Sequence, residues 1–178
     1  MSTAPAAMEQ QQTEARVPAV ENKISMVVFS GDLDKLLASL IISTGAVAMG
    51  MKVRLFFTFW GTAALRDPKK AGQGKNLMSK MFGFMLPKGA PKVTLSKMNM
   101  GGMGTAMMKM LMKKKKVASL EEMLSMAGAM GVEICICEMS MGLMGFKREE
   151  MIDYPGMKVC GVATFLAEAQ TSRIQLFI

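Results

Sequence analysis

A strand, a helix and a second strand follow one another between residues 23 and 59, and this unit constrains the fold more than any other feature. Residues 23–29 form a short apolar run rich in β-branched side chains, which the turn residues 30–32 close, as is typical of a buried strand. Leucines and isoleucines with helical spacing follow and stop before Gly50, and residues 52–59 form a second apolar strand. Because a helix of this length suits a parallel crossover, the chain is predicted to be an α/β protein.

One domain accounts for the whole chain. The sequence has 178 residues, about half of them apolar, which suits a single domain with its own core. Residues 1–22 are rich in Ala, Gln, Glu, Thr and Pro and lack apolar periodicity, so we predict a flexible N-terminal tail. Residues 23–178 are then the folded domain, which contains a Met-rich insert at about residues 69–117.

The insert contains two methionine-rich segments, residues 77–86 and 103–112, each long enough for a short helix. The run Lys113–Lys116 follows the second segment, which gives an apolar body a cationic end. Three interpretations stay open: methionines that fill a core or a subunit interface, a surface that docks a protein partner, or a peripheral membrane contact.

The apolar stretch of the first predicted helix falls short of the roughly 20 residues that a membrane span needs.

The charge and the missing histidines exclude several classes of protein. Lys and Arg outnumber Asp and Glu by 22 to 14, which gives a net charge of +8, and there is no histidine. A His-based triad and every zinc site that needs imidazole are therefore excluded, and neither a metal nor a cofactor is expected. Nucleic-acid binding is not expected either, because no aromatic side chains for base stacking interrupt the basic run.

The cysteines lie in the C-terminal half of the chain. Ser119 and Glu122 form a capping-box pattern that predicts a helix ending near residues 130–131. In the strand that follows, alternation places Cys135 and Cys137 on one face and the branched apolar residues on the other. Both thiols therefore share a side of the predicted sheet.

Cys137 is better placed for chemistry than Cys135, because ligands of open parallel sheets lie outside the carboxyl ends of the strands. A short helix after Cys137 would lower the pKa of its thiol, although the neighbouring Glu138 opposes that shift, and the thiolate is the form that attacks sulfur donors. The alternative is a buried cysteine that acts as a small hydrophobic residue. Cys160 ends another short strand, followed by a helix and a last strand at 173–178, and is a candidate second thiol.

The Cys135-Ile-Cys137 spacing is a weak metal signal, since no second Cys or His pair completes four ligands. Three cysteines without a secretory pattern at the start of the chain favour a reducing compartment over a disulfide-stapled exported protein.

Four segments carry a resemblance to a known family: residues 30–35, 57–61, 137–145 and 161–166. Together they resemble the DsrE/DsrF-like sulfurtransferase family, in particular its methionine-rich branch that carries a peroxiredoxin label. The resemblance covers about residues 23–178, and the Cys-x-Met-Ser-Met pattern that begins at Cys137 is its most specific part.

The resemblance implies a three-layer α/β/α sandwich with a five-stranded, mostly parallel sheet, and a homo-oligomer, either a trimer or a hexamer. It also implies a cytoplasmic protein that exchanges sulfane sulfur with rhodanese-like or TusA-like carriers. By position, the sulfur-carrying cysteine of the family corresponds to Cys137 and the second cysteine of this branch to Cys160. The branch often has Asp where this chain has Gly142, and the Thr-x-x-Cys pattern that peroxide reduction needs is absent.

Two classes of function follow. The first is a sulfurtransferase or persulfide carrier that uses Cys137, with Cys160 as an acceptor or resolving thiol. The second is a noncatalytic binding or scaffold module in which the Met-rich insert docks a protein partner or a membrane surface. The first requires an accessible Cys137 thiol of low pKa, whereas the second predicts thiols that react only on unfolding.

Overall fold

The computed structural model of the protein describes residues 19–70 and 86–178. Most of the predicted tail at residues 1–22 and most of the first methionine-rich segment at 77–86 lie outside these described residues. The strands are β1 (Glu21–Val28), β2 (Lys52–Phe57), β3 (Glu133–Cys137), β4 (Lys158–Cys160) and β5 (Ser172–Phe177). The α-helices are α1 (Leu33–Ala48), α2 (Trp60–Ala63), α3 (Met103–Lys114), α4 (Leu120–Ala129), α5 (Glu138–Met144) and α6 (Val162–Ala169).

The five strands form one sheet in the order β4-β3-β2-β1-β5, and every neighbouring pair is parallel. The predicted, mostly parallel sheet is therefore confirmed as all-parallel. Strand β5 pairs with β1 at the edge opposite β4, so the chain crosses the whole sheet between β4 and β5. All five carboxyl ends meet at one edge of the sheet, as in other open parallel sheets.

Side chains on the two faces of the sheet belong to separate buried clusters, as the alternation in β3 predicted. Ile134 and Ile136 pack in the larger cluster, together with buried residues of α1 and α4. Cys135 and Cys137 lie on the opposite face, which we call the cysteine face, where they pack with Phe56 of β2.

Helix α6 covers the cysteine face through Phe165, whose ring stacks on that of Phe56 with 4.6 Å between ring centroids. Helices on both faces confirm the three-layer α/β/α sandwich.

Local signals in the sequence account for most element boundaries. The capping box is present, since the Ser119 hydroxyl accepts from the Glu122 amide and the Glu122 carboxylate accepts from the Ser119 amide. Strand β1 begins two residues before the predicted Lys23 and β2 ends at Phe57, two residues before the predicted end. The segment after β2 begins with the short helix α2.

The second methionine-rich segment forms α3, which confirms the predicted helix in the insert. Its methionines do not fill the core of this chain: Met112 is buried, whereas Met103, Met107 and Met110 are exposed. Core filling is therefore wrong for these three side chains. Across the described residues, no helix combines the length and apolar character needed to cross a bilayer.

Candidate functional site

Cys137 is the last residue of β3 and directly precedes α5. The change from strand to helix at this point was predicted, and it places the thiol at the carboxyl edge of the sheet. Cys137 is 3 % exposed, so the accessible thiol that the carrier function was expected to require is not found in the single chain; the sulfur lies beneath the surface. The thiol is free, unlike those of the other two cysteines.

The loops after β1 and β2 pack closely together at the same edge of the sheet. The Gly61 amide donates to the Phe29 carbonyl at 2.9 Å, and a Cβ atom at Gly61 would lie 2.5 Å from the Val28 carbonyl oxygen. A Cβ atom at Gly31 would lie 2.7 Å from the Trp60 carbonyl oxygen. Both glycines are therefore required by contact between two backbones, and this contact fixes the end of β2 beside Cys137.

Two buried hydroxyl groups lie beside the Cys137 thiol. Thr58 follows β2, Ser140 lies in the first turn of α5, and their oxygen atoms are 2.7 Å apart in a hydrogen bond. Neither residue was singled out as a site residue, although both lie in segments that carry the family resemblance. The sequence signal that could have identified Thr58 is its position: it follows a strand that was predicted to lie in the same sheet as the strand of Cys137.

The pKa of the Cys137 thiol is lowered from its ordinary value. Burial by itself raises this pKa, but it is outweighed by hydrogen bonding from the Ser140 and Met139 amides and from the paired Ser140 and Thr58 hydroxyls, of which one donates to the other and the second to the sulfur. Glu138, which was expected to oppose the shift, is exposed at the surface, where solvent and salt screen its charge. The site therefore stabilises a thiolate in a position shielded from bulk solvent.

Ser140→Ala is expected to raise the pKa of the Cys137 thiol, because it removes the hydroxyl donor that stabilises the thiolate. The pH dependence of the iodoacetamide reaction, followed by intact mass spectrometry, measures this pKa. In the unmodified protein, the midpoint of this reaction should lie below that of an ordinary cysteine thiol. In the variant, the midpoint should move upward.

Ser43→Ala is the matched control, since Ser43 is a buried serine of α1 that bonds the Ser39 carbonyl, and its midpoint should stay where it is in the unmodified protein. Equal midpoints in the unmodified protein and both variants would contradict hydrogen-bond control of this thiol.

Cys135 and Cys160 form a disulfide, with their Cα atoms 6.0 Å apart. The strand register places Cys160 directly opposite Cys137, so the structure brings both predicted site residues together on adjacent strands. All three cysteines pack in the cluster on the cysteine face. Sequence reasoning found no partner for Cys135, because the pairing depends on the register between β3 and β4.

A cavity lies elsewhere in the fold, away from the cysteines. This cavity of about 700 Å³ is lined by residues of α3, α4 and the segment between them, together with Leu33, Ala90 and Pro91, and none of the three cysteines is among its lining residues. Among the described residues, no group of three or more acidic or cysteine side chains is arranged to hold a metal ion. In the described part of the chain, the cysteine face is therefore the candidate site for nucleophilic chemistry.

Comparison with known proteins agrees with this arrangement. Residues 20–177 match the model of the DsrE/DsrF/DrsH-like family. The chain is 43 % identical over 156 residues to the uncharacterized protein YrkE of Bacillus subtilis, which covers 88 % of this chain and 96 % of that protein. It is 33 % identical over 162 residues to the sulfur carrier protein DsrE2 of Allochromatium vinosum, which covers 89 % of this chain and 99 % of that protein. With this coverage, with the all-parallel sheet and with the cysteine at its carboxyl edge, the chain belongs to the DsrE/DsrF/DrsH-like family.

Proposed function

We propose that this protein is a sulfur-relay protein that carries sulfane sulfur as a persulfide on Cys137. The observation that carries the proposal is a free thiol of lowered pKa, held by hydroxyl and amide donors at the carboxyl edge of a parallel sheet. The thiolate is the form of cysteine that attacks sulfur. The similarity to the sulfur carrier DsrE2 over nearly the whole chain supports the same role.

Loading and delivery use the same reaction, in which a thiolate attacks the outer sulfur of a persulfide. The Cys137 thiolate attacks the outer sulfur of a donor persulfide, a new S–S bond forms, and the donor leaves as its thiolate. An acceptor thiolate then attacks the outer sulfur on Cys137, takes that sulfur as its own persulfide and releases the Cys137 thiolate. Neither step consumes an oxidant or a reductant, because the oxidised sulfur atom is passed on intact.

The donors that lower the thiol pKa act in both steps. Hydrogen bonding from the paired Thr58 and Ser140 hydroxyls and from the neighbouring amides stabilises the Cys137 thiolate, which is the nucleophile in loading and the leaving group in delivery. Burial of the sulfur limits the contact of a bound persulfide with bulk water.

A protein partner must reach the buried sulfur, and α5 provides exposed apolar side chains next to it. Met139 and Leu143 point into solvent from the helix that starts immediately after Cys137. Flexible methionine side chains suit contacts with several partners. We assign this surface to the exchange of sulfur with rhodanese-like or TusA-like carriers.

Cys160 is proposed as the second thiol of the relay. In the disulfide with Cys135 it cannot accept sulfur, so a dithiol reductant must first open that bond. The Cys160 thiolate can then attack the outer sulfur on Cys137, opposite which it lies in the strand register, and the sulfur moves to β4. A disulfide in a reducing cytoplasm, the compartment we propose for this protein, is usually a transient and redox-active bond rather than a structural one.

A homo-oligomer, either a trimer or a hexamer, is part of the same proposal. Val162 and Leu166 of α6 and Phe177 of β5 are large apolar side chains that are exposed in the single chain. Exposed apolar side chains grouped on an element are typical of surfaces that another chain covers.

A noncatalytic binding module is the second candidate, and the exposed methionines of α3 favour it. In that case the Met-rich insert would be the working part, and the three cysteines would pack as buried apolar residues. Thiol chemistry distinguishes the two candidates.

Incubation of the folded protein with a polysulfide or thiosulfate donor, followed by intact mass spectrometry, tests the proposal. We expect a gain of one or more sulfur atoms, which dithiothreitol removes. No gain in the folded protein, together with a Cys137 thiol that titrates only in denaturant, would contradict the carrier function and favour the binding module.

A further inference from the structure

Helix α3 has its apolar side facing outward. Small or partly polar residues, including Gly104, Thr105 and Lys109, face the rest of the protein together with Met112. The exposed side is an apolar stripe with helical spacing, which we call the methionine stripe; it consists of Met103, Ala106, Met107, Met110 and Leu111. A surface helix of a water-soluble domain normally has the reverse arrangement.

The methionine stripe continues beyond the N-terminal end of the helix and is followed by lysines at the C-terminal end. Met98 and Met100, in the turn before α3, are also exposed. At the other end, Lys113 and Lys114 close the helix and Lys115 and Lys116 follow it, and all four are exposed. The surface therefore combines a row of flexible apolar side chains with a cluster of positive charge.

Lysines dominate the charge around the methionine stripe, although Glu121 and Glu122 line the same cavity as Lys113 and Lys116. Residues 68–120 contain twelve lysines and neither an aspartate nor a glutamate. The nearest acidic residues in the sequence are Asp67 and Glu121. In the described part of this segment, Lys88, Lys92 and Lys97 are exposed as well. A surface on which lysines outnumber carboxylates is complementary to an anionic partner.

The dimensions of α3 fit a helix that lies on a bilayer. The helix has 12 residues, well short of the roughly 20 that span the hydrocarbon core. An interfacial helix inserts its apolar side among the acyl chains while lysines contact anionic headgroups. An acidic protein groove is the competing occupant. The row of flexible methionine side chains and the lack of an aromatic anchor in the stripe favour a fluid surface over a shaped pocket.

We propose that the methionine stripe of α3, together with the lysines at its C-terminal end, binds the surface of an anionic phospholipid bilayer. The protein is then peripheral, with α3 lying parallel to the membrane plane. Membrane binding is independent of the thiol chemistry of Cys137, so each property can be lost without the other.

Flotation of the full-length protein with vesicles tests the proposal. Binding is expected to vesicles of phosphatidylcholine and phosphatidylglycerol at low salt, to weaken as salt screens the lysines, and to be weak with phosphatidylcholine alone. Met110→Asp should lower the partition coefficient by about tenfold or more, because a methionine leaves the acyl region and a carboxylate replaces it. Glutamine at all four positions Lys113–Lys116 should lower it by more than about tenfold.

Met49→Asp is the matched control, since it makes the same change of side chain and charge at another exposed site. Met49 is 78 % exposed after α1 and Met110 is 67 % exposed, so neither replacement disturbs the core. Met49→Asp should bind vesicles as the unmodified protein does. Met49→Asp and Met110→Asp should both keep the melting temperature of the unmodified protein.

Three results would overturn the proposal. Absence of binding to anionic vesicles would assign the methionine stripe to a protein partner. Equal binding by Met110→Asp and Met49→Asp would show that another part of the chain contacts the lipid. A change in the mass of the protein in solution, caused by Met110→Asp but not by Met49→Asp, would assign the methionine stripe to contact between copies of this chain.

Discussion

Serine in place of Cys137 is expected to abolish the gain of sulfur from a polysulfide donor. The hydroxyl of serine is not ionised near neutral pH and cannot form a persulfide, so the proposed acceptor atom is lost. The variant keeps Cys135 and Cys160, which form a disulfide with each other and offer no thiolate until it is reduced. The measurement is intact mass spectrometry of the folded variant, followed by peptide mapping to locate any added sulfur.

The double variant Cys135→Ser/Cys160→Ser is the complementary control. It removes both cysteines of the disulfide and leaves Cys137 as the single thiol of the chain. We expect it to load sulfur to the level of the unmodified protein under nonreducing conditions. Loading by Cys137→Ser but not by the double variant would reverse the assignment, and the sulfur would then be carried by Cys135 or Cys160.

The same variants separate the two steps of the relay. If Cys160 accepts sulfur from Cys137, peptide mapping of the reduced and then loaded protein should find sulfur on both residues. In Cys160→Ser, sulfur should accumulate on Cys137. Sulfur on Cys137 alone, at every donor concentration and in the reduced protein, would remove Cys160 from the relay.

Arg66→Met is expected to lower the free energy of unfolding by about 3–5 kcal/mol, because it removes one charge of a buried ion pair. Arg66 is 1 % exposed, and its guanidinium lies 3.7 Å from the Glu150 carboxylate and 4.6 Å from the centre of the Phe146 ring. It also donates to the Pro87 carbonyl. Urea unfolding followed by circular dichroism measures the loss.

The position of Arg66 explains why one side chain has so large an effect. Arg66 pairs with Met151 in an isolated antiparallel bridge, and the neighbouring amide of Asp67 donates to the Glu150 carbonyl. The guanidinium therefore joins the segment after α2 to the connection between α5 and β4. Burial lowers the pKa of Arg66 although the Glu150 carboxylate opposes that shift, which shows how far the charge is removed from water.

Two further variants show whether the buried charge is the cause. Arg66→Met/Glu150→Gln should recover much of the lost free energy, because it removes both charges of the pair. Arg173→Met, at an exposed position of β5, should change the free energy of unfolding by less than about 0.5 kcal/mol. A loss in Arg66→Met as small as that in Arg173→Met would contradict a stabilising role for the buried pair.

The sequence alone determined the class of the fold and the position of the main thiol. The apolar runs and helical spacings predicted β1, α1 and β2, and the capping box predicted α4. Alternation in β3 placed Cys135 and Cys137 on one face, because successive side chains of any strand point to opposite sides. These predictions succeed because they depend on neighbours within a few residues along the chain.

Tertiary structure decided how the site is assembled. The register between β3 and β4 sets Cys160 beside both other cysteines, and no local pattern specifies a register between strands 25 residues apart. The burial of Cys137 and its hydrogen bond from Thr58 likewise need β2 beside β3. The outward side of α3 also depended on the tertiary structure, since helical spacing identifies the apolar side of a helix but not the side that packs on the protein.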